Sequence, residues 1–220
     1  MSTVRKMSNV AIAMQSALGA VKTITAVSIA APGVVTATHD FINGDFVLLS
    51  VQGMSQLDGR VFRVCNVSTT VSFQLEDISG GTGISTVGYD VFVSGTANKI
   101  TFGTSITTST TLDASGGEFG YLDTTLVHSN VKSQIPGVAE PLAFAMELLW
   151  DITDTAQKAM LVASNAQTQL AFKITYGTSG PIQTFTGYVG FTGSPKGAAQ
   201  EVLKSSATIT AFGKPTYYSA

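Results

Sequence analysis

Short runs of alternating residues, each closed by a glycine, asparagine or aspartate turn, recur through most of this 220-residue chain. Ile24 to Ile29 alternates and ends at Ala31-Pro32-Gly33, and Val34 to Thr38 is rich in β-branched residues. Asn43-Gly44 is a strong hairpin-turn signal, because both residues tolerate the positive φ that tight hairpins need. Phe46 to Val51 follows as an apolar strand, Asp58-Gly59 turns the chain into Arg60 to Val67, and Val71 to Leu75 is a further strand. Strands this short and this regularly punctuated predict a barrel or sandwich.

The second half has longer strands and one helix. In Leu142 to Trp150 one face carries Leu142, Phe144, Met146, Leu148 and Trp150, and the other carries Ala143, Ala145, Glu147 and Leu149. A helix is predicted over about 151–167. Asp154 and Gln157 have capping-box spacing, and Ala156, Ala159, Met160 and Ala163 form a helical stripe. Strands follow over 170–176, 182–191 and 207–212. The predicted organisation is an N-terminal arm or short helix over 1–20, a small β module over 21–96 and a larger β domain over 97–220. Ser79-Gly80-Gly81-Thr82-Gly83 marks the linker, with the boundary placed within 79–98. The fold class is mainly β, a sandwich or half-barrel with one flanking helix plus the small module.

Only 12% of the residues are charged, against about 25% in ordinary soluble proteins. That leaves too few charges to clothe a monomer. No run of about 18 apolar residues exists, so no helical membrane span is expected, and the aromatic girdles of a transmembrane barrel are not evident. The apolar run after Arg5-Lys6 is five residues long, short for a secretory signal. The remaining explanation is that other subunits cover much of the surface. The 12 basic and 14 acidic residues give a net charge of −2, with no basic cluster beyond Arg5-Lys6 to read nucleic acid. Cys65 is the only cysteine and reads as a packing residue in a strand.

The residues that carry chemistry elsewhere are scattered here. His39 and His128 lack a nucleophile context. Asp40 and Asp45 flank a turn, and Asp151 and Asp154 sit at a helix start. Glu118 and Asp123 are the one carboxylate pair with glycosidase-like composition, without a sugar cleft around them. Gly80-Gly81-Thr82-Gly83 lacks the lysine of a phosphate loop, and Asn66-Val67-Ser68 is a chance glycosylation match. No catalytic, cofactor-binding or metal-binding residue is assigned, and no cofactor is expected. Strand surface remains. Stretches 184–191 and 207–212 carry no charge, although monomeric proteins guard sheet edges with lysine or proline. Neighbouring copies are therefore expected to complete the sheets, with inter-subunit strands over 184–191 and 205–212 that carry Phe185, Tyr188, Val189, Phe191, Ile209 and Phe212.

The order of segments resembles a known family. Leu112 to Thr125 is followed by Ile135-Pro136-Gly137, the strand ending at Trp150-Asp151, the helix with Ala156-Gln157 and the strand from Phe172. Phe185-Thr186-Gly187-Tyr188-Val189 and the closing Ser205 to Thr216 complete the series. This series resembles the major tail tube proteins of long-tailed bacteriophages, as does the opening Val10 to Lys22. Asn43-Gly44-Asp45 and Leu57 to Phe62 resemble a small β module that recurs in phage structural proteins. The resemblance implies a non-enzymatic virion subunit, assembled in the host cytoplasm. Six copies would close a ring, and rings would stack into a tube whose channel conducts DNA without specific binding. Tail tip and terminator proteins would meet its ends. Six subunits of net −2 make a ring of about −12, over which a polyanion slides. The alternatives are a tail terminator, a baseplate hub or decoration protein, or a secreted β-sandwich binding module.

Overall fold

The computed structural model describes residues 9–219. In chain order the elements are β1 (Val10–Met14), β2 (Ala17–Val27), β3 (Val34–Ala37), β4 (Phe46–Gln52), β5 (Val61–Ser68), β6 (Ser72–Leu75) and β7 (Ser94–Thr101). They continue with β8 (Thr104–Ile106), β9 (Ser109–Ser115), β10 (Phe119–Asp123), β11 (Gln134–Ala139) and β12 (Ala143–Leu149). The chain closes with α1 (Thr155–Ala166), β13 (Leu170–Tyr176), β14 (Ile182–Phe191) and β15 (Lys204–Tyr218). The chain is mainly β, with one helix among the described residues, as its strand-and-turn pattern predicts.

Seven strands form one sheet in the order β8-β1-β13-β14-β15-β12-β9. β8 and β9 lie at its opposite edges, yet only Thr107 and Thr108 separate them in sequence. Six inter-strand spacings would hold the edges of a flat sheet about 29 Å apart, whereas the step from Ile106 to Ser109 reaches about 11 Å at most. The sheet therefore curls into a half-barrel. Its concave side holds a core of Ile12, Met14, Phe144, Met146, Leu148, Phe172, Phe185 and Ile209, and Ala156 and Met160 of α1 pack into the same core.

β2 to β7 form a separate closed barrel, in the order β2-β3-β6-β5-β4-β7. The small module expected over 21–96 thus runs from Ala17 to Thr101. It is an insertion between two neighbouring strands of the large sheet, since Met14 of β1 pairs with Thr104 of β8 and Ala17 pairs with Thr101. Ser16 fastens the crossing: its backbone N–H and its hydroxyl both donate to the Thr101 carbonyl, and its Oγ accepts from Gly103 N at 3.1 Å. A β-carbon at Gly103 would lie 2.4 Å from that Oγ.

Three expectations are corrected. The arm or short helix over 1–20 is, in its described part, strand: Val10–Met14 pairs with β13 on one side and β8 on the other. A five-residue apolar run is too short to form a stable helix alone, and a central strand accepts apolar residues on both faces. Asn43-Gly44 turns the chain but makes no hairpin. β3 pairs with β2 and β6, and β4 with β5 and β7. Asn43 Oδ1 instead accepts from Val67 N at 3.0 Å. The glycine run at 79–83 is a turn inside the barrel, bridged by Glu76 and Gly83, and not a linker.

The helix is shorter than the expected 151–167. Asp154 caps it by accepting from Ala156 N and Gln157 N, and Gln167 ends it in a left-handed conformation at φ 49°. Gln157 does not return to the Asp154 backbone. Its buried amide donates to Leu149 O at 2.7 Å and to Thr108 Oγ1 at 3.1 Å, and its Oε1 accepts from Asp151 N. One side chain thus ties the helix to β12 and to the β8–β9 connector.

The barrel is seated on the outer face of the half-barrel. Val61, Ile100 and Ala171 form a small shared core with Phe46, Leu48 and Phe102 beside it, and Lys173 Nζ lies over the Phe46 and Phe102 rings. Thr186 Oγ1 donates to Gly59 O, and Tyr218 Oη accepts from Arg63 N at 2.8 Å.

Candidate assembly interface

The barrel covers only part of the sheet's outer face. The C-terminal half of β14, with the N-terminal half of β15, β12 and β9, stays bare. Its outward residues fall in cross-strand rows: Gly190, Thr208, Ala145 and Asp113; Tyr188, Thr210, Ala143 and Ser115; Ser206, Glu147 and Thr111. The face is smooth, dominated by small side chains, and nearly neutral. Glu147 is held between Lys196 at 2.7 Å and Lys204 at 3.5 Å, and the hydrogen bond from Lys196 is the main cause holding its carboxyl below the ordinary range. Asp113 makes no ion pair among the described residues.

β9 is the outermost strand, and its Ser-Thr-Thr-Leu-Asp-Ala-Ser sequence carries neither lysine nor proline to guard the edge. Beyond β9 and β12 the same two strands run on past the sheet as the ribbon β10–β11. Among the described residues this ribbon joins no hydrophobic core. Phe119, Tyr121, Leu122, Ile135 and Val138 are exposed on it, with Leu126, Val127 and Val131 at its tip. A lone two-stranded hairpin is marginally stable in water, so a ribbon this apolar is built to be covered. Its cues lie in the sequence: alternating Phe119 and Tyr121 on one strand and Ile135-Pro136 on the other, between Gly116-Gly117 and Pro141. They are legible as a strand pair, but the absence of a third strand is not.

Residues 52–220 match the family described as phage tail tube protein, TTP. The chain belongs to that family. No curated protein matches it. As a member of this family it is a structural subunit of a phage tail tube, and a tail location in the virion follows.

Within this tail tube subunit the six residues expected on inter-subunit strands divide. Phe185, Val189, Phe191 and Ile209 point into the half-barrel core and are buried. Only Tyr188 and Phe212 face outward, 43% and 52% exposed. Nor is 205–212 an edge: β15 is flanked by β14 and β12 there. An uncharged strand is equally what a sheet interior needs, and charge scarcity alone does not separate the two. β14 is flanked by β13 as far as Gly187, and 188–191 run past the end of that partner.

The candidate chemistry of the tail tube subunit is dispersed. His39 is buried between Phe41 and Phe73; its Nδ1 accepts from Phe41 N at 3.1 Å, and Nε2 has no partner among the described residues. His128 is exposed near the ribbon tip. Asp40 pairs with Lys22 at 2.9 Å and Asp45 with Lys99 at 2.7 Å. Asp151 accepts from Thr153, and Asp154 caps the helix. Glu118 and Asp123 lie exposed along the ribbon, Asp123 at 3.9 Å from Lys132. Among the described residues no His, Cys, Asp and Glu cluster has metal-ligand form, and no helix is long and apolar enough to cross a membrane.

Proposed function

We propose that copies of this subunit close into six-membered rings that stack around a channel conducting DNA. The observation that carries this reading is the bare outer face of β14, β15, β12 and β9. It is wide, smooth, almost free of unpaired charge, and left open by the barrel. Facing a channel, such a surface offers a polyanion no row of cations to bind, and Asp113 adds mild repulsion. Ring closure falls to backbone edges: β9 of one copy meets the 188–191 stretch of β14 on the next, with Tyr188 and Phe212 beside the seam. The apolar ribbon leaves the sheet at one end and supplies the contact between rings. Tail tip and terminator proteins meet the rings left open at the two ends, and assembly proceeds in the host cytoplasm. Negative-stain electron microscopy of the concentrated purified protein tests this: hollow tubes of uniform bore with sixfold end views are expected. Lone rings or monodisperse monomers at high concentration would overturn it.

A further inference from the structure

We propose that the β10–β11 ribbon is inserted between two copies of the adjoining layer, so that its two faces are buried against different subunits. The inference rests on the reading of the chain as a stacking tube subunit, and it specifies how the stacking contact is made.

Cross-strand register assigns the faces. Leu122 stands opposite Ile135, and Tyr121 opposite Pro136. Opposed residues share a face and successive residues alternate, so Leu122 and Ile135 lie on one side and Phe119, Tyr121 and Pro136 on the other, while Val138 sits at a bulge beside Gly137. Leu122 and Ile135 are 60% and 51% exposed, and Phe119 and Tyr121 are 52% and 69% exposed. A strand pair that lies on one surface is apolar on one side and polar on the other. This ribbon is apolar on both, and among the described residues nothing covers either. It requires a crevice, and in a closed ring the crevices open to the next layer lie between neighbouring copies.

The ribbon's geometry suits insertion. Gly116 and Gly117 take φ of +80° and +83° where it leaves the sheet, and a β-carbon at Gly116 would meet Pro141 O at 2.3 Å. Ser115 to Leu126 spans up to about 35 Å, and β12 is about 20 Å long. The ribbon therefore reaches past a neighbour's sheet edge. Gly120 and Gly137 keep the ribbon thin midway, and a β-carbon at Gly137 would lie 3.1 Å from Gly120 O.

Single-cysteine chemistry tests the idea. The native Cys65 is buried, and burial, with the nearby Glu76 charge, pushes its thiol up to about 11; it reacts slowly. Tyr121→Cys and Leu122→Cys are each mixed as a minority into wild-type subunits, assembled, and exposed to a maleimide. Both positions should label freely in unassembled protein. In tubes both should slow by about tenfold or more, as about 1.4 kcal/mol of opening cost would give. Tubes in which either position stays as reactive as in free subunits would overturn the insertion while leaving the tube reading intact. Wild-type protein that forms no tubes would overturn both.

Discussion

The hydroxyls of Thr184 and Thr216 meet at 2.6 Å beneath the barrel, and Thr216 also donates to Val61 O at 2.6 Å. A hydroxyl has one proton, so Thr184 supplies the one between the two threonines. The chain of bonds joins β14, β15 and β5, and it is fully buried. Thr216→Val keeps the shape and strands the Val61 carbonyl. A loss of about 1–3 kcal/mol in unfolding free energy is expected by urea denaturation. An unchanged midpoint would show that the barrel is not seated through this bond.

Behind that seam Arg63 holds Glu76 with two guanidinium nitrogens, one of them Nη2 to Oε1 at 2.8 Å, and its Cζ lies 4.8 Å over the Tyr218 ring. Glu76 also accepts from Gly81 N. Arg63→Met leaves a buried carboxylate without its cation and should cost about 3–5 kcal/mol. Adding Glu76→Leu should restore part of it, because the second change removes the stranded charge. Calorimetry on the single and double variants reads both effects; a double variant as weak as the sum of two singles would contradict the pairing.

The alternation that marks Phe144, Met146 and Leu148 as inward-facing is a local property, and the sequence alone displays it. The same holds for the Asp154 cap, which needs only the few residues after it. Strand partnership is not local. Val10–Met14 pairs with residues about 90 and about 160 positions away, and nothing within five residues separates a central strand from an arm. Asn43-Gly44 shows the same limit, since its turn is real and its expected hairpin is absent. The missing charge around Phe185 and Ile209 suggests an interface, but sheet interiors share that property. The ribbon's need for a cover is visible only in three dimensions, where among the described residues Leu122 and Ile135 have no third strand beside them.

Gln157 is the only side chain that joins α1, β12 and the β8–β9 connector through its own hydrogen bonds among the described residues. Gln157→Leu keeps the volume and leaves Leu149 O and Asp151 N without these partners. A loss of about 1–3 kcal/mol is expected, with faster amide exchange across the first turn of α1. Exchange rates unchanged there would argue that the helix is held by Met160 and Ala156 packing alone.

Glu147 gives a pH signature. Its carboxyl is held below the ordinary value of 4.5 by the hydrogen bond and charge of Lys196, then by Lys204. The unfolded chain takes up the proton more readily, so the contribution is complete above 4.5 and drains away as pH falls through the lower folded value. Carboxyl titration by NMR should place the Glu147 midpoint below 4.5, and Lys196→Met should move it upward. A midpoint unmoved by that substitution would assign the shift elsewhere.

Thr210 lies in the bare row between Tyr188 and Ala143, with no acid in that row to neutralise a new charge. Thr210→Lys puts one cation per subunit on the face assigned to the channel and leaves the core side of β15 untouched. Subunits assembled with short duplex DNA and then treated with nuclease should form ordinary tubes. Wild-type tubes should protect little DNA. The variant should protect more, and this excess should fall steeply between about 50 mM and about 200 mM salt, because each neutralised phosphate releases counterions on binding. Val71→Lys, on an exposed barrel loop, serves as the control: any DNA it gathers stays open to nuclease. Thr210→Lys tubes that bind DNA only in nuclease-sensitive form would place this face on the outside of the tube.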